Sequence, residues 1–257
     1  MSQSQSTQAF SFEIIPEKVE IKIYDRYFTR STHNYLLKDA DISEVQSNQL
    51  AISRDNNALG LCVLQQNHTN IVTEAQVPWE IGKEPIADGM ISEANNLVLG
   101  VLTADCVPVL LASIDGEVIG ALHCGWRSIF EGIIENYISI SRTKTKSKII
   151  AFIGPSIQKS SYEVGEEFVN KWLLKSEEFA PFFEEIISHD SNEGKFYCDL
   201  PSIARIILQN NDVEIAFHVK EDTYTNPAKY PSFRYSMKNN LGKYKGSILS
   251  AITKKCL

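Results

Sequence analysis

Cys106, in Thr103-Ala-Asp-Cys106, and His123, in His123-Cys-Gly-Trp-Arg127, are the side chains of this sequence best suited to do chemistry together. The segment between them, VPVLLASIDGEVIGAL, reads as two apolar strands joined at Asp115-Gly116, a dipeptide that accepts positive φ and favours a hairpin. Closing that hairpin makes a thiolate and an imidazole neighbours. Such a pair either binds a borderline metal or forms a Cys–His nucleophile. A third residue decides between them, and His68, in Gln65-Gln-Asn-His68, is the candidate. With it, two nitrogens and one sulfur make a zinc site whose open fourth position takes a water acidified to about pH 7. Spacing alone leaves a third possibility open, in which Cys106 is a buried small hydrophobe and both histidines are merely hydrogen-bonded.

Three arginines are candidates for holding an anion. Arg127 follows Trp126 at a predicted strand-to-helix junction, where both the helix N-terminus and a guanidinium favour phosphate or carboxylate. Arg30 and Arg234 lie in Tyr/Phe-containing loops and are further substrate-binding candidates. Cys124, next to His123, points to the opposite face if 118–124 is a strand, which makes it a core residue. Cys62, Cys198 and Cys256 carry no assigned role, nor do His33, His189 and His218, the last expected on the solvent side of its strand.

The elements that must position these groups follow from hydrophobic period. Val19–Ile23 alternates as a strand running into Tyr27–Arg30, and a short helix is expected near 43–52. Leu59–Leu64 reads as a strand with His68 just beyond its end, and Leu97–Leu102, apolar on both faces, as a buried one. After Trp126 the period becomes helical through Ile129, Ile133, Ile134, Tyr137 and Ile138, with Ser128 as N-cap. Lys148–Ile153 returns to strand. Val164, Phe168, Trp172 and Leu173 mark a helix, Pro201 opens another, and 213–219 alternates as a strand. Tyr224–Tyr244, rich in Pro, Asn and Tyr, reads as surface loops. Several links are too short for crossovers, so the expected fold is α/β (α+β mixed), with mixed β-sheets flanked by helices.

The chain has 257 residues, 43% of them hydrophobic, enough to bury a full core. No linker divides it, so a single domain over 19–257 is expected after a flexible tail, 1–18. The formal net charge of -7, from 25 basic and 32 acidic residues, argues against nucleic-acid or anionic-membrane partners. The polar start MSQSQSTQAFSF lacks the basic and apolar regions of a signal peptide, and no apolar run reaches membrane-spanning length. The five cysteines are odd in number and form no Cys-x-x-Cys pair, which fits reduced thiols in a cytoplasm; a monomer is expected.

TADCVPVLL, ALHCGWRSI, FIGPSIQKSSYEVGEEF and a downstream Asp199-Leu200 occur in an order that resembles the laccase-domain family. Its bacterial members are the YfiH-like proteins, also called polyphenol oxidase or purine nucleoside phosphorylase. The resemblance runs over residues 19–246. It implies a compact fold with mixed sheets, related to the catalytic domain of a toxin deamidase that uses a Cys–His pair. It further implies a metal site of His68, Cys106 and His123, although Gln65-Gln-Asn-His68 carries one residue more than the usual Gln-x-His. Other departures are Ser31-Thr-His-Asn34 where the family has Gly-Gly-Val-Ser, Asp222-Thr223 for Cys-Thr, and Phe233-Arg-Tyr-Ser236 for Ser-Tyr-Arg-Arg.

The activity implied is zinc-dependent, phosphate-dependent cleavage of adenosine, inosine and methylthioadenosine, together with adenosine deamination. Deamination is chemically coherent at such a centre, since zinc-activated water can attack the purine C6 carbon. Phosphorolysis needs an anion site beside ribose C1′, for which Arg127 or Arg234 is the expected residue. The alternatives are a metal-dependent amide hydrolase editing peptidoglycan precursors and a metal-stapled binding module, the latter requiring a fourth protein ligand. Multicopper phenol oxidation is disfavoured, because only five histidines are present and none forms a His-x-His pair.

Overall fold

The computed structural model describes residues 7–10, 18–25, 36, 41–187, 194–241 and 246–256. Arg30, His33, His189, the Ser31–Asn34 departure and most of the expected N-terminal tail lie outside the described residues. Within that tail, β1 (Thr7–Phe10) is an edge strand antiparallel to β2 (Val19–Tyr24), where the sequence reading places floppy chain.

The chain runs from β2 through helix α1 (Ile42–Asp55) to β3 (Gly60–Cys62), then β4 (Val72–Glu74), β5 (Gly89–Ser92) and β6 (Leu97–Thr103). The central hairpin follows, β7 (Val107–Ser113) and β8 (Ile119–Cys124), then helices α2 (Trp126–Phe130) and α3 (Ile133–Lys144) and strand β9 (Ile149–Ile153). The second half holds β10 (Glu163–Gly165), α4 (Glu166–Lys175), β11 (Phe183–Glu185), β12 (Lys195–Cys198) and α5 (Leu200–Asn210). It closes with β13 (Glu214–His218), α6 (Phe233–Lys238) and β14 (Ile248–Lys254).

Two large sheets dominate, with strand orders β1-β2-β14-β6-β3 and β13-β9-β7-β8-β5-β4, beside a small sheet β10-β12-β11. Each large sheet mixes parallel and antiparallel pairs, as expected from the short links. Alternation along the strands sets the layers. Leu97, Leu99 and Val101 of β6 face Leu110, Ala112, Ile119 and Ala121 of β7 and β8 across the gap between sheets. The other face of the second sheet, Val107, Val109, Leu111 and Leu122, carries α3 and α5 through Ile133, Tyr137, Ile203 and Ile207. Gly120 makes that contact possible: a Cβ there would stand 2.1 Å from the Tyr137 ring. The outer face of the first sheet packs on α1 through Tyr24, Val98, Leu249 and Ile52.

Several sequence expectations are corrected. Ser128 is not an N-cap: α2 is capped by Gly125, the helix breaks at Gly132 (φ 90°), and Ser128 is buried inside α2. Val164 lies in β10, because the helix starts only after the extended Gly165. The hairpin uses a wider loop than a two-residue turn, with only Gly116 at positive φ (66°) and Val118 closing on Ser113. The Tyr224–Tyr244 stretch contains α6, started by Ser232, whose side chain accepts from Tyr235 N–H. His218 is half-buried, with Nε2 enclosed and lacking a hydrogen-bond partner among the described residues. Burial, helped by the charges of Lys220 and Arg205, lowers its pKa.

No helix among the described residues is long and apolar enough to cross a membrane.

Candidate functional site

Cys106 sits where the chain crosses from the first sheet to the second, between the end of β6 and the start of β7. By the alternation of β7, it shares the inter-sheet side with Leu110 and Ala112. In β8 the same alternation gives Ile119, Ala121 and His123 one side, while Leu122 and Cys124 enter the helix-side core. Pro108 pairs with His123 across the hairpin, so Cys106 and His123 meet at its open end. Cys124 is fully buried and turned away.

His68 arrives from the loop after β3 with φ of 59°, a left-handed conformation uncommon for a residue with a Cβ. Two side chains hold that loop. Gln66 mimics a strand residue, donating to Leu102 O at 2.6 Å and accepting from Leu102 N–H at 2.8 Å. Asp88 accepts the N–H groups of Asn67, His68 and Thr69 at 3.2, 3.0 and 2.6 Å, and the Thr69 hydroxyl at 2.8 Å. The same carboxylate lies 2.7 Å from His123 Nδ1.

His68 Nε2 is 3.6 Å from Cys106 Sγ, and the two imidazole rings stand 4.8 Å apart at 65°. The ligand atoms of His68, Cys106 and His123 all lie within 4.8 Å of one another. This donor set fits a metal. Asp88 holds His123 Nδ1, leaving Nε2 to ligate. Gly125 provides the room, since a Cβ there would fall 2.4 Å from His68 Cδ2 and 3.2 Å from Cys106 Sγ. The ligand group comprises three side chains among the described residues, which leaves a coordination position for something other than protein.

Electrostatics favour the ionised pair. Burial pushes the Cys106 thiol up, but the His123 charge and hydrogen bonds from His123 and His68 outweigh it and bring it down to about 6. Burial opposes protonation of His123, yet the Cys106 charge and the Asp88 hydrogen bond raise it to about 9. Asp88 is likewise penalised by burial and held down to about 2 by the hydrogen bond and charge of His123, with help from Thr69. Both shifts run toward thiolate at Cys106 and imidazolium at His123, each stabilising the other's charge.

The triad forms one wall of a cavity of about 470 Å³. Leu64, Leu200, Trp126, Tyr162 and Phe233 supply apolar and aromatic surface, while Gln66, Asp105 and Arg234 supply polar groups. The Arg234 guanidinium stacks 5.3 Å over the Tyr162 ring and donates from Nη1 to Glu163 O at 3.0 Å. The Glu163 carboxylate pairs with Lys195 and Lys238 instead, so Arg234 meets no carboxylate ion-pair partner among the described residues. Arg127 is placed elsewhere. It is exposed, lies 5.2 Å over the outer Trp126 ring and does not line the cavity.

Asp88 and Asp105 went unassigned in the sequence. Asp88 ends a loop just before β5, and only the β5–β8 pairing brings it to His123. Asp105 lies inside the Thr-Ala-Asp-Cys motif, but its partners come from a distant part of the chain, Thr223 and Arg234.

The chain is 39% identical over 244 residues to a protein of Rickettsia conorii named purine nucleoside phosphorylase, covering 94% of this chain and 99% of that one. Escherichia coli YfiH, also named purine nucleoside phosphorylase, is 32% identical over 148 residues, 58% of each chain. The fold matches a Neisseria meningitidis crystal structure with a TM-score of 0.81 at 24% identity, covering 97% and 99% of the two chains. It also matches Bacillus licheniformis YfiH, with a TM-score of 0.77 at 19% identity over 92% and 93%. Residues 29–253 match the family model described as multi-copper polyphenol oxidoreductase laccase, and the chain belongs to that family.

Proposed function

We propose that this chain is a zinc-dependent purine nucleoside phosphorylase, converting adenosine, inosine or methylthioadenosine and phosphate to free base and the ribose 1-phosphate. Adenosine deamination is proposed as a second activity of the same centre. The carrying observation is that a His–Cys–His donor set and the Arg234 guanidinium share one aromatic-lined cavity. The names of the relatives support the substrate class. The family's description speaks of several coppers, for which five histidines are a poor supply.

Zinc suits a borderline nitrogen–sulfur set, and when bound it would supply Lewis-acid polarisation. His68, Cys106 and His123 would hold it, with Asp88 keeping His123 in the tautomer that offers Nε2. Arg234 presents a planar fork to two phosphate oxygens and sets the anion beside ribose C1′, where positive charge develops. Trp126, Tyr162 and Phe233 offer ring surface to the purine, and the apolar walls keep bulk water from competing with phosphate. Deamination requires the purine C6 carbon to face the triad. Arg127 lies outside this wall and takes no part in holding the anion in this reading.

Incubation of the zinc-loaded protein with adenosine and phosphate, followed by chromatography, tests the reading. Adenine and ribose 1-phosphate are expected, only with phosphate present. Base release at equal rate without phosphate indicates a hydrolase. Conversion of adenosine to inosine without free base leaves the deaminase activity alone, and no turnover of any purine nucleoside sinks both.

One observation favours a second reading. Cys106, His123 and Asp88 are ordered as nucleophile, base and orienting acid, an arrangement suited to amide hydrolysis such as that of cell-wall precursors.

A further inference from the structure

Arg234 reaches the cavity from α6, distant in sequence from the triad, and Asp105 joins the two. Asp105 adopts a φ of 91°, a strained conformation for a residue with a Cβ that persists only where its surroundings over-determine it. They do so here. Its carbonyl accepts Ile157 N–H at 3.0 Å. Its Oδ1 accepts the Thr223 hydroxyl and its Oδ2 accepts Arg234 N–H, each at 2.7 Å. The carboxylate is largely buried, so these bonds satisfy acceptors that have little access to water. The loop bearing Thr223 is tied down in turn by Asp222, which accepts Gln158 N–H at 3.2 Å and the Ser161 hydroxyl at 2.5 Å. That second anchor draws in the segment ending at Tyr162, the ring beneath the Arg234 guanidinium.

We propose that Asp105 is a positioning residue that fixes the Arg234 guanidinium, as the phosphate-holding group, at a set distance from Cys106. The ligand it serves is inorganic phosphate, so the proposal rests on the phosphorolysis reading for its purpose. Asp105 does not itself touch the anion. Each carboxylate oxygen already accepts a bond, Oδ2 from the backbone N–H of Arg234 and Oδ1 from Thr223.

Asp105→Asn keeps the shape and accepts positive φ, but it must turn an NH2 group toward one of the two donors. Thr223→Val removes the other side of the latch at nearly constant volume, in a fully buried position. Calorimetric binding of inorganic phosphate, metal content and adenosine phosphorolysis are measured on wild type, both variants, Arg234→Ala and the Asp105→Asn/Arg234→Ala double variant. Both latch variants should keep wild-type metal content. Their phosphate Kd and phosphate KM should rise about tenfold, within what a small misplacement of a binding group costs, while adenosine KM barely moves. Once Arg234 is alanine, Asp105→Asn should add no further loss. Unchanged phosphate Kd in both latch variants overturns the proposal. An equal loss with and without Arg234, or a parallel rise in adenosine KM, marks Asp105 as merely structural and overturns it too. If Asp105→Asn does not fold, Thr223→Val decides alone. A wild type that binds phosphate but turns over no nucleoside refutes the phosphorolysis reading, and phosphate Kd still decides the latch. A wild type that binds no phosphate refutes the latch.

Discussion

Asp88 Oδ1 lies 2.7 Å from His123 Nδ1 and also accepts the backbone N–H of His68 at 3.0 Å, so one carboxylate holds the His123 ring and the His68 backbone together. His68 comes from the loop after β3 and His123 from strand β8, so the two share no secondary element. Their common anchor is a fully buried side chain at the start of β5, and it explains how a residue at φ 59° can be held in place. Burying a carboxylate is costly unless hydrogen bonds saturate it, and donors from residues 67–69 and 123 do so.

Replacing Asp88 by Asn should lower zinc affinity about 10–100-fold, the usual cost of losing such a partner, as read by chelator competition. The pH dependence of the metal-free protein carries the same signature. The folded-state value of Asp88, about 2, lies below its ordinary 3.8. A depressed carboxylate contributes stability that is full above the ordinary value and lost as pH falls through the folded one. The shift corresponds to about 2 kcal/mol, so the stability gap between wild type and Asp88→Asn should narrow between pH 4 and 2 in urea titrations.

Cys106 should respond to metal in its alkylation rate. Zinc-loaded protein should react slowly with iodoacetamide, because the thiolate is engaged as a ligand. After chelation the rate should rise and follow a midpoint near pH 6, well below the usual thiol value of 9.0. Rapid labelling of the loaded protein would instead support the nucleophile reading.

How far the centre could be read from sequence depended on distance along the chain. The Cys106–His123 approach was legible because one hairpin creates it, and period-two alternation correctly turned Cys124 into the core. The mixed sheets followed from short links. Asp88 was not legible, since its role exists only after β5 pairs with β8. Arg127 drew attention as a cation at a helix start, but α2 is five residues long and its arginine lies on the outer Trp126 face. Arg234 sits on a helix too short to show a period, and Asp105 hides between two better-known letters of its motif.

Metal content separates ligand from neighbour. His68→Ala, Cys106→Ala and His123→Ala should each bring zinc well below one per chain by elemental analysis. Cys124→Ala should retain it, because that thiol lies wholly in the core beneath α3, and should show instead a loss of thermal stability. Zinc loss on Cys124→Ala with full retention on Cys106→Ala would contradict the facing of β8.

The sharpest test adds a single methyl group. Gly125 has φ of -68° and ψ of 162°, backbone values that any residue adopts, so glycine is not needed there for conformation. The requirement is space, since a Cβ at that position would sit 2.4 Å from His68 Cδ2 and 3.1 Å from His68 Nε2. Gly125→Ala must therefore displace the His68 imidazole from the triad and crowd Cys106 Sγ, 3.2 Å from the new Cβ, while His123 stays in β8. Reducing the freedom of the unfolded chain favours alanine by about 0.4–1 kcal/mol, which offsets part of the steric cost. The variant should consequently fold with near-normal stability in the metal-free state, yet bind zinc at least about tenfold more weakly, as expected when one of three ligands is pushed aside. Thermal denaturation with and without zinc reads both quantities on one sample. Undiminished zinc stabilisation in Gly125→Ala would mean that His68 is not a ligand.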